Sequence, residues 1–291
     1  MSHPYFTITT PIPRTYHIGS PENVYAELFV GDHAALLWDT GYGYWSLSGF
    51  VETLTQGKPL MVVNSHGHLD HCCGNVQFSG PIYMHPADHA LCRRHTGPEM
   101  RHWAVQRARS CLDNRTGKKG SILPPGFDEA AYAAQESWCH LLPVEEGHRF
   151  ELGGLTLRTV ELPGHTAGCL GLIYEEEQVL YTGDAIAKVM WLFLPETLSL
   201  GAYMDTLYKA KTLSCEKMVC AHVPTPLPIS ALDGLLECAE TLDFESAKVM
   251  PAGVLPIGSE VEVRVHNRPG YRPLDMQREG YAAIYIERGK L

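Results

Sequence analysis

Between residues 66 and 71 the chain reads His-Gly-His-Leu-Asp-His, three imidazoles and a carboxylate within one short run. These are the side chains that zinc and related first-row ions take as ligands. On an extended segment His66 and His68 point the same way, because side chains alternate with a period of two. A turn into helix near Asp70 would then aim Asp70 and His71 at a second point a few ångströms away. Gly67, with no side chain of its own, would let the flanking imidazoles crowd close to an ion. The chemistry implied is hydrolysis assisted by metal ions.

Three later segments share one local pattern, an apolar strand-like run that ends in a ligand residue. Leu157 to Glu161 leads to His165, Val179 to Gly183 leads to Asp184, and Met218 to Ala221 leads to His222. Ligands at the ends of adjacent strands converge on one edge of a sheet, where layered α/β folds often hold their sites.

Together, His66-x-His68-x-Asp70-His71, Gly164-His165-Thr166, Thr182-Gly183-Asp184 and His222 resemble the metallo-β-lactamase superfamily of hydrolases. Asp39-Thr40-Gly41 matches that family's first motif, which supports the metal loop, and the resemblance runs from about residue 20 to about residue 225. It implies an α/β fold, the αββα four-layer sandwich, with metals in a cleft between the sheet edges. It also implies that His66, His68 and His165 hold one metal, that Asp70, His71 and His222 hold the other, and that Asp184 bridges both. The implied cofactors are two divalent ions, zinc first, with iron and manganese suited to the same ligands. Two such ions sharing a water bring its pKa from about 15.7 toward neutrality, and the hydroxide would attack a carbonyl. Asp70 is the implied catalytic residue, accepting and then delivering a proton. The chain departs from the family at one ligand, where Ala221 precedes His222 in place of the usual glycine.

Some branches of the family fit poorly. Asp184 disfavours β-lactam cleavage, and His68 stands where oxygen-reducing diiron members carry glutamate. Ala187 lies three residues after Asp184, where acyl-lactonases carry a tyrosine that Tyr203 or Tyr208 would have to replace. The glutathione-binding helical domain of glyoxalase II-type thioesterases has no match in residues 252–291. The expected function is hydrolysis of an ester, thioester or lactone of a small molecule. The alternatives are a phosphodiesterase acting on a small phosphoester and a non-catalytic metal-binding sensor. Cys72, Cys73 and Cys169 adjoin the site as packing residues.

The elements that must position these residues follow from apolar patterning. Val24 to Val30 and Ala34 to Asp39 form a hairpin around Gly31-Asp32-His33, followed by a helix over Ser46 to Gln56. Leu60 to Asn64 is a strand ending at the ligand run; Pro81 to Met84 is a further strand and Ala87 to Arg94 a helix. His148 to Leu152, Leu155 to Glu161, Leu170 to Tyr174 and Gln178 to Thr182 pair as hairpins. Leu200 to Leu213 and Ile229 to Leu242 are helices flanking the strand Lys217 to Cys220, and the tail strands are Glu260 to His266 and Tyr281 to Glu287. Two β-rich halves, each trailing helices, predict sheets packed face to face with helices outside.

Residues from about 95 to 145 break this rhythm and read as a helical cap inserted into a single domain over 1–291. Met100, Trp103, Ala104, Ala108 and Cys111 share one helical face. The stretch from 93 to 119 carries Arg93, Arg94, Arg101, Arg107, Arg109, Arg115, Lys118 and Lys119 against only Glu99 and Asp113. As a lid, it would let Arg101, Arg107 or Arg109 bind a carboxylate or phosphate, with Trp103 and Met100 lining the pocket. As a solvated helix face, it would bind nothing.

The 291 residues are 45% hydrophobic and 19% charged, the composition of a globular chain with a sizeable core. A net charge of −10 argues against nucleic acid, which needs a cationic surface. No run approaches the roughly 18 apolar residues of a membrane span. Nine irregularly spaced cysteines and no leader-like N-terminus fit reduced thiols in the cytoplasm. The expected partner is a small-molecule substrate, anionic if the arginines form a lid. A homodimer is left open.

Overall fold

The computed structural model describes residues 3–135, 139–250 and 261–291. Its first sheet has seven strands, in the order Thr7–Thr9, Thr15–Gly19, Tyr25–Val30, Ala35–Trp38, Leu60–Val63, Ile82–Met84 and Leu141–Pro143. Antiparallel pairing on the N-terminal side gives way to parallel pairing from Ala35–Trp38 onward. The second sheet has six strands, in the order Arg149–Glu151, Thr156–Glu161, Leu170–Tyr174, Val179–Gly183, Lys217–Cys220 and Leu227–Pro228.

Side-chain alternation assembles the layers. From the first sheet Phe29, Leu36, Trp38 and Val63 meet Leu157, Leu172, Tyr181 and Val219 of the second, forming the core between the sheets. Their neighbours Leu28, Leu37 and Val62 face outward onto α1 (Leu47–Thr55), through Phe50, Val51 and Leu54. Five residues separate Val63 from α2 (Leu69–Cys72), and then α3 (His89–His95), α4 (Pro98–Ala108) and α5 (Glu129–Ala133) follow. On the far side of the second sheet, Val160, Ile173, Leu180 and Met218 pack on α6 (Leu200–Thr212) and α7 (Ala231–Glu240). The result is the expected αββα arrangement.

Two regions differ from the sequence reading. Within 95–145, α4 and α5 are joined by a hairpin of Cys111–Asp113 with Lys118–Gly120. Cys111 therefore starts a strand rather than continuing the α4 face. Leu141–Pro143 pairs with Ile82–Met84 as the last strand of the first sheet, so the end of this stretch belongs to the sandwich itself. In the C-terminal part, Val189–Leu192 runs parallel to Ala283–Glu287, which pairs with Val263–Asn267 and, beyond it, Lys248–Val249. This small third sheet packs on α7 through Ala282, Ile284 and Ile286. The residues before Val263 in the expected tail strand include position 260, outside the described residues.

Candidate metal centre

All seven expected ligands come together at one edge of the sandwich. His66, His68 and His165 form one group, and Asp70, His71, Asp184 and His222 form another, with the ligand atoms of each group within 4.8 Å of one another. The local geometry follows the sequence. His68 is extended, at φ −77° and ψ 153°, and caps α2, so the turn into helix falls between His68 and Asp70. His165 lies in the loop between two strands of the second sheet, Asp184 directly follows one strand end in that sheet, and His222 lies two residues past another.

Each imidazole is tied at one ring nitrogen by a group outside the cluster, leaving the other to face inward. His66 Nδ1 lies 2.9 Å from Ser65 Oγ, whose hydroxyl donates to Asp39 at 2.7 Å. His71 donates from Nδ1 to Asp39 at 2.8 Å, and His222 from Nδ1 to the Asn23 carbonyl at 3.0 Å. His165 Nδ1 is 3.4 Å from the Trp191 carbonyl. His68 is reversed: its Nε2 is 2.8 Å from Glu196 Oε1, and its Nδ1 turns inward. Acceptors of this kind fix the tautomer and aim the opposite nitrogen.

The inward nitrogens converge. His68 Nδ1 is 3.0 Å from His66 Nε2 and 2.9 Å from His165 Nε2. In a tetrahedral site with Zn–N lengths of about 2.0–2.1 Å, neighbouring nitrogens sit about 3.3 Å apart, so a small shift admits an ion. In the other group Asp184 Oδ2 is 3.2 Å from His222 Nε2 and 3.5 Å from His71 Nε2. It also lies 3.8 Å from His165 Nε2, which places Asp184 between the groups. His71 Nε2 and Asp184 Oδ1 are buried with no hydrogen-bond partner among the described residues, an expensive arrangement for polar atoms that a cation would relieve.

Charge is distributed to match. Burial, reinforced by His71 and His68, pushes the His66 imidazole well below its ordinary range, and His165 falls to about 4 for the same reasons. In the second group burial opposes the charged imidazoles, but Asp70, Asp184 and Asp39 outweigh it and hold His71 well above its usual range. Asp184, helped by Asp70, likewise outweighs burial at His222 and raises it. Burial likewise opposes ionisation of Asp70 and Asp184, and the neighbouring His71 and His222 overcome it and hold both carboxyls down. Protons thus stand where cations would, and the donor set fits two divalent ions.

Several supports were invisible to sequence reasoning. Asp88 is buried and accepts from Gly67 N at 2.8 Å, Thr166 Oγ1 at 2.7 Å and Gly168 N at 2.9 Å, tying the first ligand run to the His165 loop. Gly67 has a second purpose that the sequence did not show: a side chain there would strike the main chain of Cys92 and Asp88, so its smallness lets α3 approach. Ser65, Asn23, Trp191 and Glu196 carried no signal of their own.

The arginines separate cleanly. Arg101 is fully buried and donates to the Thr96 and Cys73 carbonyls at 2.8 Å each, so it is a strut and not a substrate ligand. Arg109 is exposed and paired with Glu129. Arg107 donates to Tyr42 Oη at 2.5 Å, and both it and Tyr42 feel the Asp70 carboxylate. Tyr208 bonds Glu240 on the surface, and Tyr203 is buried in the helix-side core, so neither takes the lactonase tyrosine's place. Cys72, Cys73 and Cys169 are buried, as packing residues are.

A family model described as the metallo-beta-lactamase superfamily matches residues 19–222. The atrochrysone carboxyl ACP thioesterase AacuM of Aspergillus aculeatus is 38% identical over 80 residues, 28% of this chain and 25% of that protein. The lactamase-like protein vrtG of Penicillium aethiopicum is 34% identical over 80 residues, again 28% and 25%. The chain thus spans about a quarter of the length of the curated relatives it matches. Among solved structures, a metallo-beta-lactamase from Pontibacter korlensis shares the fold with a TM-score of 0.58 and 16% identity, over 81% of this chain and 100% of that one. The sec-alkylsulfatase Pisa1 from Pseudomonas sp. does so at 0.59 and 12%, over 81% and 42%. With the family model matching well over half of its length, and the ligand constellation lying inside that match, the chain belongs to the metallo-beta-lactamase superfamily.

Proposed function

We propose that this protein is a hydrolase of a small-molecule ester, thioester or lactone that works with two divalent ions, zinc in the first instance. His66, His68 and His165 would hold one ion, Asp70, His71 and His222 the other, and Asp184 would serve both. The observation that carries this reading is the orientation of the five histidines, each tied at one nitrogen with the other aimed inward. When bound, such ions lower the pKa of a shared water toward neutrality and polarise a substrate carbonyl.

The chain's own contribution is positioning and proton transfer. Asp70, ionised beside His71 and His222, is the catalytic residue, able to take a proton from the attacking water and return it to the leaving group. His66, His68, His71 and His165 are almost fully buried, whereas His222 is 36% exposed at its side chain, so substrate approaches from the His222 side. The Arg107 guanidinium, carried by an exposed residue of α4 and held by Tyr42 near Asp70, favours an anionic substrate. A thioester is supported by the thioesterase named among the relatives. Nine unpaired thiols support a reducing compartment, the cytoplasm.

The test is a substrate panel run on chelated protein and on protein reloaded with zinc, iron or manganese. It contains p-nitrophenyl acetate, an acyl thioester, an acyl-lactone and bis-p-nitrophenyl phosphate. Acyl cleavage should vanish with chelation, return with metal and be lost in His68→Ala and Asp184→Ala. Turnover that survives chelation, or cleavage of the phosphodiester alone, would overturn the proposal.

A further inference from the structure

Among the acceptors that orient the five imidazoles, Glu196 stands apart. The others are a serine hydroxyl, two main-chain carbonyls and the carboxylate of the Asp39 motif. Glu196 lies in the segment between Val189–Leu192 and α6, 128 positions from the histidine it holds. We propose that Glu196 is a positioning residue of the metal centre. Through His68 it selects the ring nitrogen that faces His66 and His165 and strengthens it as a donor, while Arg94 holds the carboxylate in place. The inference rests on the ligand assignment proposed above.

The geometry is specific. His68 gives Nε2–H to Glu196 Oε1 at 2.8 Å, so the lone pair sits on Nδ1, the atom facing the other two imidazoles. Nothing in the ring itself would fix that choice, and a carboxylate acceptor also raises the basicity of the opposite nitrogen. The carboxylate is itself held, because Arg94 Nη2 donates to Glu196 Oε2 at 2.9 Å. His95, next to Arg94 at the end of α3, stacks on His68 with ring centroids 4.9 Å apart and restrains its tilt. The last turn of α3 therefore grips both members of the His68–Glu196 pair. His68, His95 and Glu196 can also bring three ligand atoms within 4.8 Å. A cation site of their own is disfavoured, because His68 Nε2 would have to give up its proton and Arg94 already neutralises Glu196.

The experiment titrates cobalt(II) into the full-length chain, wild type and variants, against a chromophoric chelator, with visible spectra and melting curves recorded alongside. Wild type should bind two equivalents. Glu196→Ala should weaken one of them about ten- to a hundredfold and shift its cobalt spectrum, leaving the other within about twofold. Glu196→Gln, whose amide oxygen still accepts from Nε2–H, should keep the spectrum and fall between the two in affinity. Arg94→Met should lower the same equivalent by a smaller factor. Folded Glu196→Ala and Glu196→Gln proteins that bind both equivalents as wild type does would overturn the inference alone. So would a third wild-type equivalent that disappears in both Glu196→Ala and His95→Ala. A wild type that binds no metal, or His66→Ala that keeps both equivalents, would overturn the ligand assignment beneath it.

Discussion

His71 gives its Nδ1–H to Asp39 at 2.8 Å, and the same carboxylate takes both the main-chain N–H and the hydroxyl of Ser65, each at 2.7 Å. Since Ser65 also meets His66 Nδ1, one buried carboxylate orients a histidine in each group. Asp39 itself sits at φ +65°, a left-handed conformation that asparagine also tolerates. Asp39→Asn should therefore keep the backbone but offer one acceptor oxygen to three donors. We expect stability in urea to fall by about 1–3 kcal/mol on chelated protein. Both metal equivalents should weaken by about tenfold or more. An Asn variant with wild-type affinity at both positions would show that Asp39 only shapes the loop.

Gly67 separates two ligands, yet the space it leaves belongs to α3. A Cβ there would lie 2.8 Å from the Cys92 nitrogen and 2.9 Å from the Asp88 carbonyl oxygen, main-chain atoms that cannot swing aside. Gly67→Ala should destabilise the fold by about 1–3 kcal/mol. Gly80→Ala, where a Cβ meets nothing within 4 Å, should change it by less than about 0.5 kcal/mol. Chemical unfolding of the two variants side by side decides the point, and equal stabilities would contradict the packing account.

The gathering of these side chains was legible in the sequence, because residues close in sequence and residues at strand ends obey local periodicities. The run from His66 to His71 and the residues His165, Asp184 and His222 are of that kind. The second layer was not legible, since its contacts join positions that only the folded sheets bring together. Asn23 reaches His222 across 199 positions, and Glu196 reaches His68 across 128. The strand Val189–Leu192, which supplies the Trp191 carbonyl to His165, owes its existence to pairing with Ala283–Glu287. Arg101 read as either a substrate-binding lid residue or part of a solvated helix face, although the Thr96 and Cys73 carbonyls give its guanidinium a buried home.

Glu22 provides a pH-dependent signature. Its Oε2 is buried without a partner among the described residues, and burial raises its pKa from 4.5 to about 7. As pH rises, the unfolded chain loses this proton near 4.5 while the folded chain retains it until about 7. The folded state then binds more protons than the unfolded one, so Glu22 lowers stability progressively across that window and leaves it lowered above. Glu22→Gln removes the penalty. On chelated protein, the melting temperature of the variant relative to wild type should rise between pH 4 and pH 8. A difference that stays flat over that range would place Glu22 in contact with solvent.

Arg107 is where substrate choice is tested. Its Nη1 is anchored by the Tyr42 phenol at 2.5 Å, and its guanidinium carbon lies 5.8 Å from the centroid of the Trp103 ring. Held in this way, a cation near Asp70 can meet a carboxylate on the substrate while taking no part in bond cleavage. Arg107→Met should therefore raise KM by about tenfold for an ester bearing a carboxylate, the loss of one charge-assisted hydrogen bond, and leave kcat nearly unchanged. A neutral ester of similar size should be cleaved as by wild type. Arg109→Met should alter neither substrate, because Arg109 is exposed and engaged with Glu129. Equal losses on the charged and neutral esters would instead make Arg107 a support for Tyr42, and the preference for an anionic substrate would fall.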